Sequence, residues 1–205
     1  MHNTIHIFNK YAQVYQDQFM DVSLYQKTLD YFLKLLPSNA NILEVACGPG
    51  NITKYLLQQQ PYLNILATDL APNMLNLARK NNPSAHIELL DMKDISTLKQ
   101  PFNAIVCAFG FPYLSKQEAL QWIKDVSKML KSKGVLYIST MEDDHKKSGI
   151  EKGRQGDEMW MNYHEAGYLT KSLHESGFKT IQLERIVTQP KDKKVTDLMI
   201  IAQKI

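Results

Sequence analysis

The residues best able to do chemistry cluster in Ile42-Leu43-Glu44-Val45-Ala46-Cys47-Gly48-Pro49-Gly50-Asn51-Ile52-Thr53. An apolar strand runs into a glycine turn, and a helix marked by Ile52, Tyr55 and Leu56 follows. Glycine lets the backbone approach a ligand without a Cβ clash. A helix N-terminus offers unpaired N–H groups to an anionic group. Nineteen residues beyond Gly50 comes Asp69, in Ile65-Leu66-Ala67-Thr68-Asp69-Leu70. An acid ending a second strand can accept from both hydroxyls of a ribose. The spacing therefore predicts a nucleoside-containing ligand; the bland alternative is a tight turn with an exposed aspartate. Two features bear on which nucleoside. Dinucleotide turns read G-x-G-x-x-G, the third glycine allowing close helix–strand packing, and here Thr53 takes that place. Glu44, just before the turn, would repel a pyrophosphate but suits a ligand carrying an ammonium or a sulfonium.

The elements around this turn follow from periodicity. Short apolar runs at Ile42–Ala46, Ile65–Thr68, Ile87–Leu90, Ala104–Ala108 and Val135–Ser139 alternate with amphipathic stretches. Such alternation is the signature of a parallel sheet covered by helices on both faces. Val22, Tyr25, Leu29, Phe32, Leu33 and Leu36 predict a helix from about Asp21 to Leu36, stopped by Pro37. Pro72 suits a first helical position, with Met74, Leu75 and Ala78 behind it. Ser115-Lys116-Gln117-Glu118 reads as a capping box, and Gly134 is expected to follow that helix's end. Tyr168, Leu169 and Leu173 predict a helix stopped by Gly177. Thr180–Val187 and Val195–Ala202 then predict two strands in an antiparallel hairpin, with Lys193 and Lys194 keeping its tip soluble.

Composition bounds the rest. The 205 residues carry 24 Lys+Arg against 21 Asp+Glu, net charge +3, with 44% hydrophobic residues. That fits one soluble globular domain spanning 1–205, with a helical segment at 1–36 and a core at 37–205. The charge is too small to imply a nucleic-acid partner. No apolar run approaches the roughly 20 residues of a membrane span, and Met1 to His6 lacks a signal peptide's regions. Two cysteines make no disulfide framework, which predicts a reducing, cytoplasmic setting. Cys47 and Cys107 would end neighbouring strands and could lie close, although small buried hydrophobes are the simpler role.

At this point the sequence resembles a family, the class I S-adenosylmethionine-dependent methyltransferases of the small single-domain kind. Glu44 to Gly50 matches that family's D/E-x-x-x-G-x-G. Ala67-Thr68-Asp69-Leu70-Ala71-Pro72-Asn73-Met74-Leu75 is similar to its second-strand motif, and Leu90-Asp91-Met92 to its acid-ended third strand. Phe102 to Phe109 resembles the fourth strand, and Leu130-Lys131-Ser132-Lys133-Gly134-Val135-Leu136 the L-K-P-G-G turn, with Ser and Lys in place of Pro and Gly. The resemblance implies an α/β, Rossmann-like, seven-stranded, mostly parallel sheet of order 3-2-1-4-5-7-6, strand 7 antiparallel. It implies S-adenosyl-L-methionine as cofactor and S-adenosyl-L-homocysteine as product, with no metal. By the same resemblance Gly48 and Gly50 would admit the methionine part, with Glu44 near its amino group and Ala46, Leu70 and Met74 among the cofactor-binding residues. Asp69 would take the ribose hydroxyls, and Asp91 and Met92 would lie at the adenine. Cys107, Ala108 and Phe109 would lie under the sulfonium, and Tyr11 and Tyr15 would reach the cofactor from an N-terminal F-x-x-x-A-x-x-Y lid.

The acceptor is harder to read. Four segments are candidates: Phe8–Tyr15, Gly110–Tyr113, Met141–His145 and Trp160–His164. His145 and His164 are candidate bases because histidine titrates nearest neutral pH, and Tyr163 stands beside them. The alternatives are a solvated loop histidine and a helix cap; Trp160 and Tyr163 are equally readable as packing. Phe109-Gly110-Phe111-Pro112-Tyr113 lacks the polar side chain that nucleic-acid amino-methyltransferases place before their proline. A small or medium-sized organic acceptor and a monomer or homodimer are expected. The competing functions are S-adenosylmethionine binding without catalysis, transfer of another group from a modified sulfonium, and a nicotinamide-dependent oxidoreductase.

Overall fold

The computed structural model describes residues 2–153, 156–189 and 194–205. The chain opens with helices α1 (His2–Lys10) and α2 (Ala12–Phe19). A 3-10 turn (Ser23–Tyr25) then runs into α3 (Gln26–Lys34). The helix expected from Asp21 starts later because the Asp21 carboxylate accepts from the Ser23 N–H at 2.9 Å, a turn that holds the backbone out of register. Thr28, Leu29, Phe32 and Leu33 form the buried face of α3. Each large apolar side chain there contributes roughly 1.5–3 kcal/mol by leaving water.

Strands β1 (Asn41–Val45), β2 (Asn64–Asp69), β3 (His86–Leu89), β4 (Phe102–Ala108) and β5 (Leu130–Met141) alternate with α4 (Asn51–Gln59), α5 (Pro72–Asn81) and α6 (Lys116–Met129). Then come a ribbon of β6 (Gly149–Lys152) and β7 (Glu158–Met161), helix α7 (Ala166–Glu175), and strands β8 (Phe178–Thr188) and β9 (Val195–Lys204). The sheet order is β3-β2-β1-β4-β5-β9-β8. The first five strands are parallel, and β9 runs antiparallel to both β5 and β8. This is the expected arrangement with one addition. The β6–β7 pair forms a separate antiparallel ribbon, which shifts the numbering of the last two sheet strands.

Alternation along the strands sends Leu43, Val45, Ile105 and Cys107 to one core layer and Ile42, Cys47, Ala104 and Val106 to the other. The two cysteines are therefore free, buried and in different layers. Local signals hold where they concern helix starts. Pro72 occupies the first turn of α5, and Ser115 and Glu118 exchange both capping-box bonds, at 3.2 and 2.8 Å. The end of α6 differs from expectation. The helix stops at Met129, and the left-handed residue of the following turn is Lys133 (φ 60°). Gly134 is required for another reason: a Cβ there would lie 2.8 Å from the Lys131 carbonyl oxygen. Gly177 (φ 83°) ends α7 as expected. The hairpin tip at Pro190 to Lys193 lies outside the described residues. Among the described residues no helix is long and apolar enough to cross a membrane.

Candidate functional site

The C-terminal ends of β1, β2 and β4 open onto a cavity of about 460 Å³. Its floor is Ala46, Gly48, Asp69, Leu70, Ala108 and Phe109; Leu90, Asp91, Met92 and Met74 form one wall. Helix α1 lines it with Thr4, Ile5 and Phe8, and Tyr15, Tyr113, Trp160 and Asn162 line it as well. Ala46 and Phe109, at the ends of the adjacent strands β1 and β4, are both left-handed (φ 52° and 56°) although neither is glycine. Such conformations cost of order 1–3 kcal/mol each and concentrate where function demands them. The Phe109 N–H is held by the Ser139 carbonyl at 2.9 Å.

The two glycines of the turn do different jobs. Gly48 (φ 55°) faces the cavity, and a Cβ on it would point at the Tyr15 ring, 3.7 Å away. Gly50 (φ 78°) faces α5, where a Cβ would meet Asn82 Nδ2 at 2.2 Å. Gly50 therefore seats α5 against the turn and does not line the cavity. Asn82 Nδ2 donates back to the Gly50 carbonyl at 3.0 Å. Asp69 accepts from the Gly48 N–H (2.8 Å) on one oxygen and from the Ala71 N–H (2.9 Å) on the other. These bonds fix the carboxylate plane and leave each oxygen a further lone pair. Burial nevertheless raises the Asp69 pKa from the ordinary carboxylate value, more than those amide bonds lower it.

Glu44 does not reach the cavity. Strand alternation turns it under α4, where its carboxyl accepts from the Thr53 hydroxyl and is 1% exposed. Burial pushes its pKa up to about 8, so it is protonated at neutral pH and offers no charge. Two sequence features read separately, the acid before the turn and the threonine in place of a third glycine, are thus one hydrogen-bonded pair.

The N-terminal helices are stitched over the site. Asn73 binds Asn9 through its N–H (2.8 Å) and its side chain (2.9 Å), and Asn51 Nδ2 donates to the Phe19 carbonyl at 2.9 Å. Tyr15 lines the cavity, and its hydroxyl pKa is pushed up to about 12 by burial. Tyr11 does not line it: its hydroxyl donates to Asp157 in the ribbon, which also pairs with Lys10 at 3.4 Å.

None of the three expected acid–base residues lines the cavity. His164 is fully buried, its Nε2 2.7 Å from the Phe111 carbonyl and its Nδ1 against the Tyr168 hydroxyl. A carbonyl only accepts, so Nε2 carries the proton and Nδ1 accepts from Tyr168. Both nitrogens are occupied, and burial lowers the pKa to about 4. His164 is a structural strut. His145 Nδ1 faces the Tyr163 carbonyl at 3.0 Å, and Tyr163 donates its hydroxyl to Glu151. Of the four candidate acceptor segments, three reach the cavity, through Phe8 and Tyr15, Tyr113, and Trp160. Met141–His145 does not; Glu142 instead pairs with Arg185 and accepts from the Ala166 N–H at 3.1 Å.

Cys107 lies beneath the floor, where a Cβ on Gly110 would come within 2.8 Å of its sulfur. Burial raises both thiols, so neither presents a thiolate. The sequence reading missed Lys93 and took Glu118 only as a helix cap, whereas Gly110 and Asn162 fall inside its candidate acceptor segments. Nothing in the local pattern marks Lys93 or Glu118 as a neighbour of the glycine turn.

An open, mostly parallel sheet with a cavity at its switch point and an acid on the second strand defines a Rossmann-like fold, the kind that binds ligands at that point. The comparisons narrow this. Residues 42–134 match the family described as a methyltransferase domain. The chain is 35% identical over 112 residues to a malonyl-[acyl-carrier protein] O-methyltransferase of Acetivibrio thermocellus, covering 50% of this chain and 36% of that one. It is 27% identical over 119 residues to a demethylmenaquinone methyltransferase of Thermotoga maritima, covering 58% and 50%. The fold is shared with an S-adenosylmethionine-dependent methyltransferase structure from Clostridium acetobutylicum: TM-score 0.69, 18% identity, 97% of this chain and 99% of that one. The chain shares the fold of solved S-adenosylmethionine-dependent methyltransferases, and within it residues 42–134 carry the match to a methyltransferase domain. It spans about half the length of the curated relatives it matches.

Proposed function

We propose that this protein transfers a methyl group from S-adenosylmethionine to a small or medium-sized organic acceptor by in-line displacement. One observation carries the reading. The cavity at the glycine turn is lined by Asp69, Asp91 and Glu118, and its one cation among the described residues, Lys93, is paired with Asp91 and Glu118. A pyrophosphate would meet carboxylates there, whereas a sulfonium nucleoside is matched in charge, and Leu70, Met74 and Met92 offer apolar faces to a flat base. A solved structure of the same fold, DhpI, is a complex with S-adenosylhomocysteine.

When bound, S-adenosylmethionine supplies a methyl group made electrophilic by its sulfonium. The chain's residues would bind and orient it. Asp69 would take the ribose hydroxyls with the lone pairs that Gly48 and Ala71 leave free. Asp91 and Met92 would hold the adenine. Gly48 would admit the methionine part, and Ala46, Ala108 and Phe109 would floor the reacting end. Tyr15 and Phe8 would exclude water from above, with 1–36 acting as the lid and 37–205 as the core. Glu44, Gly50 and Cys107 act from beneath by shaping the turn. Among the described residues no histidine lines the cavity, so the residues accelerate the reaction through positioning, and the acceptor must arrive with a usable lone pair.

Calorimetric titration with S-adenosylmethionine, S-adenosylhomocysteine and NADH tests this. Micromolar binding of the two sulfur ligands alone supports it, and Asp69→Ala is expected to weaken them by roughly 1–3 kcal/mol. Binding of NADH alone would overturn it. Cofactor binding with no transfer to any acceptor in a broad screen would favour a non-catalytic binding protein.

A further inference from the structure

The ribbon β6–β7 is the part of the molecule that the sheet does not need. It is inserted between β5 and α7, and it carries an apolar pair in an odd place. Ile150 and Trp160 are cross-strand partners, so their side chains share one ribbon face. They are 65% and 55% exposed, yet Trp160 also lines the cavity. The indole is braced in position. Its Nε1 donates to Asn162 Oδ1 at 3.1 Å. Asn162, itself buried, anchors to the Pro112 carbonyl through both its main-chain N–H (2.8 Å) and its side chain (3.1 Å). The turn after β4 thereby fixes an exposed tryptophan at the cavity mouth.

Inside that mouth the wall continues aromatic. Phe8 packs edge-on against Tyr113 (centroids 5.1 Å) and Tyr15 (5.7 Å). Among the described residues this aromatic wall carries no charge, and on the ribbon face the next cross-strand pair, Lys152 and Glu158, is an ion pair at 3.4 Å. Among the described lining residues the only cation is Lys93, already held by Glu118 at 3.4 Å. An anionic acceptor would be desolvated here without a partner, in a cavity that holds three carboxylates, and unpaired burial of a charge is prohibitive.

Resting on the methyltransferase reading, we propose that the β6–β7 ribbon is the acceptor-recognition element, and that it admits an uncharged acceptor with an aromatic body and rejects its anionic counterpart. The acceptor's body lies across Trp160 and Ile150, and its nucleophilic atom reaches inward past Phe8 and Tyr113.

A matched pair of probes tests this: 4-nitrobenzyl alcohol and 4-nitrobenzoate, which share a quenching ring and differ in charge. The readout is quenching of Trp160 fluorescence in protein saturated with S-adenosylhomocysteine, taken as the difference between wild type and Trp160→Phe. The alcohol should quench saturably, at a half-saturating concentration at least tenfold below that of the carboxylate. Ile150→Glu should raise the alcohol's half-saturation at least fivefold while leaving S-adenosylhomocysteine affinity, by calorimetry, within twofold. Equal or tighter binding of the carboxylate, purely linear quenching, or indifference to Ile150→Glu would overturn the assignment of the ribbon. Calorimetric silence toward S-adenosylhomocysteine in wild type would instead overturn the methyltransferase reading on which it rests.

Discussion

Glu44 gives the sharpest test of how the glycine turn is built. Its side chain is 1% exposed, its carboxyl accepts from Thr53, and burial moves its pKa from 4.5 to about 8. In the unfolded chain the group ionises near 4.5; in the folded protein it resists ionisation until about pH 8. The fold therefore prefers the protonated form. Its contribution is fully present below pH 4.5 and is lost as pH rises through about 8. Each pH unit in that window removes about 1.4 kcal/mol, or roughly 4–5 kcal/mol across the whole of it. Glu44→Gln keeps an oxygen to accept from Thr53 and cannot ionise. Urea unfolding of both proteins at pH 5, 7 and 9 isolates the effect, because other titrations cancel in the difference. Near pH 5 the two should agree within about 1 kcal/mol, and at pH 9 the glutamine protein should be more stable by several kcal/mol. A difference that stays constant with pH would refute the reasoning, since it would mean Glu44 ionises alike in both states. S-adenosylhomocysteine affinity should move less than about threefold at pH 7, because a neutral, turned-away carboxyl pairs with no ammonium.

Four further outcomes follow from the same geometry. Gly50→Ala should lower unfolding free energy by roughly 2–4 kcal/mol, since its Cβ would strike Asn82 Nδ2 and force a left-handed alanine. Gly48→Val should stay folded in circular dichroism and lose S-adenosylhomocysteine binding in calorimetry, because it fills the space before Tyr15. His164→Ala should cost roughly 2–4 kcal/mol in urea unfolding by orphaning the Phe111 carbonyl and the Tyr168 hydroxyl, with cofactor affinity little changed. Asp157→Ala should release Lys10 and Tyr11 and speed amide exchange across residues 2–19; unchanged protection there would show that the ribbon does not hold the lid.

The sheet was legible because its signals are redundant. A run such as Ala104–Ala108 is apolar on both faces, and only a strand covered by helices on each side requires that. The capping box at Ser115 and the proline at 72 fixed helix starts, which are written in single residues. What could not be read depends on orientation. The pattern Gly48-Pro49-Gly50 does not say that one glycine faces a ligand and the other a helix. That follows from where α5 lies, about thirty residues on. Glu44 reads as a charge in any sequence and becomes neutral only under α4. His164 has the right residue type for a base, and only the placement of Phe111 and Tyr168 shows that both its nitrogens are taken. The ribbon left no clear trace because its strands are four residues each and mix Glu and Lys with Ile150 and Trp160, without a buried face to impose alternation.

The order of strands at the sheet's far edge sets a condition on how the chain acquires its structure. Strand β8 pairs only with β9, and β9 fills the gap beside β5. While the chain is being synthesised, β5 and then β8 leave the ribosome with no neighbour to complete that side. At synthesis rates of roughly 5–20 residues per second, this interval lasts several seconds. Throughout it the apolar row Val135 to Ile138 presents open backbone N–H and C=O groups, the kind of edge that recruits strands from other chains. The residues from Val195 to Lys204 thus act as a closing wedge: the last strand of the sheet to be made converts two adhesive edges into interior at once.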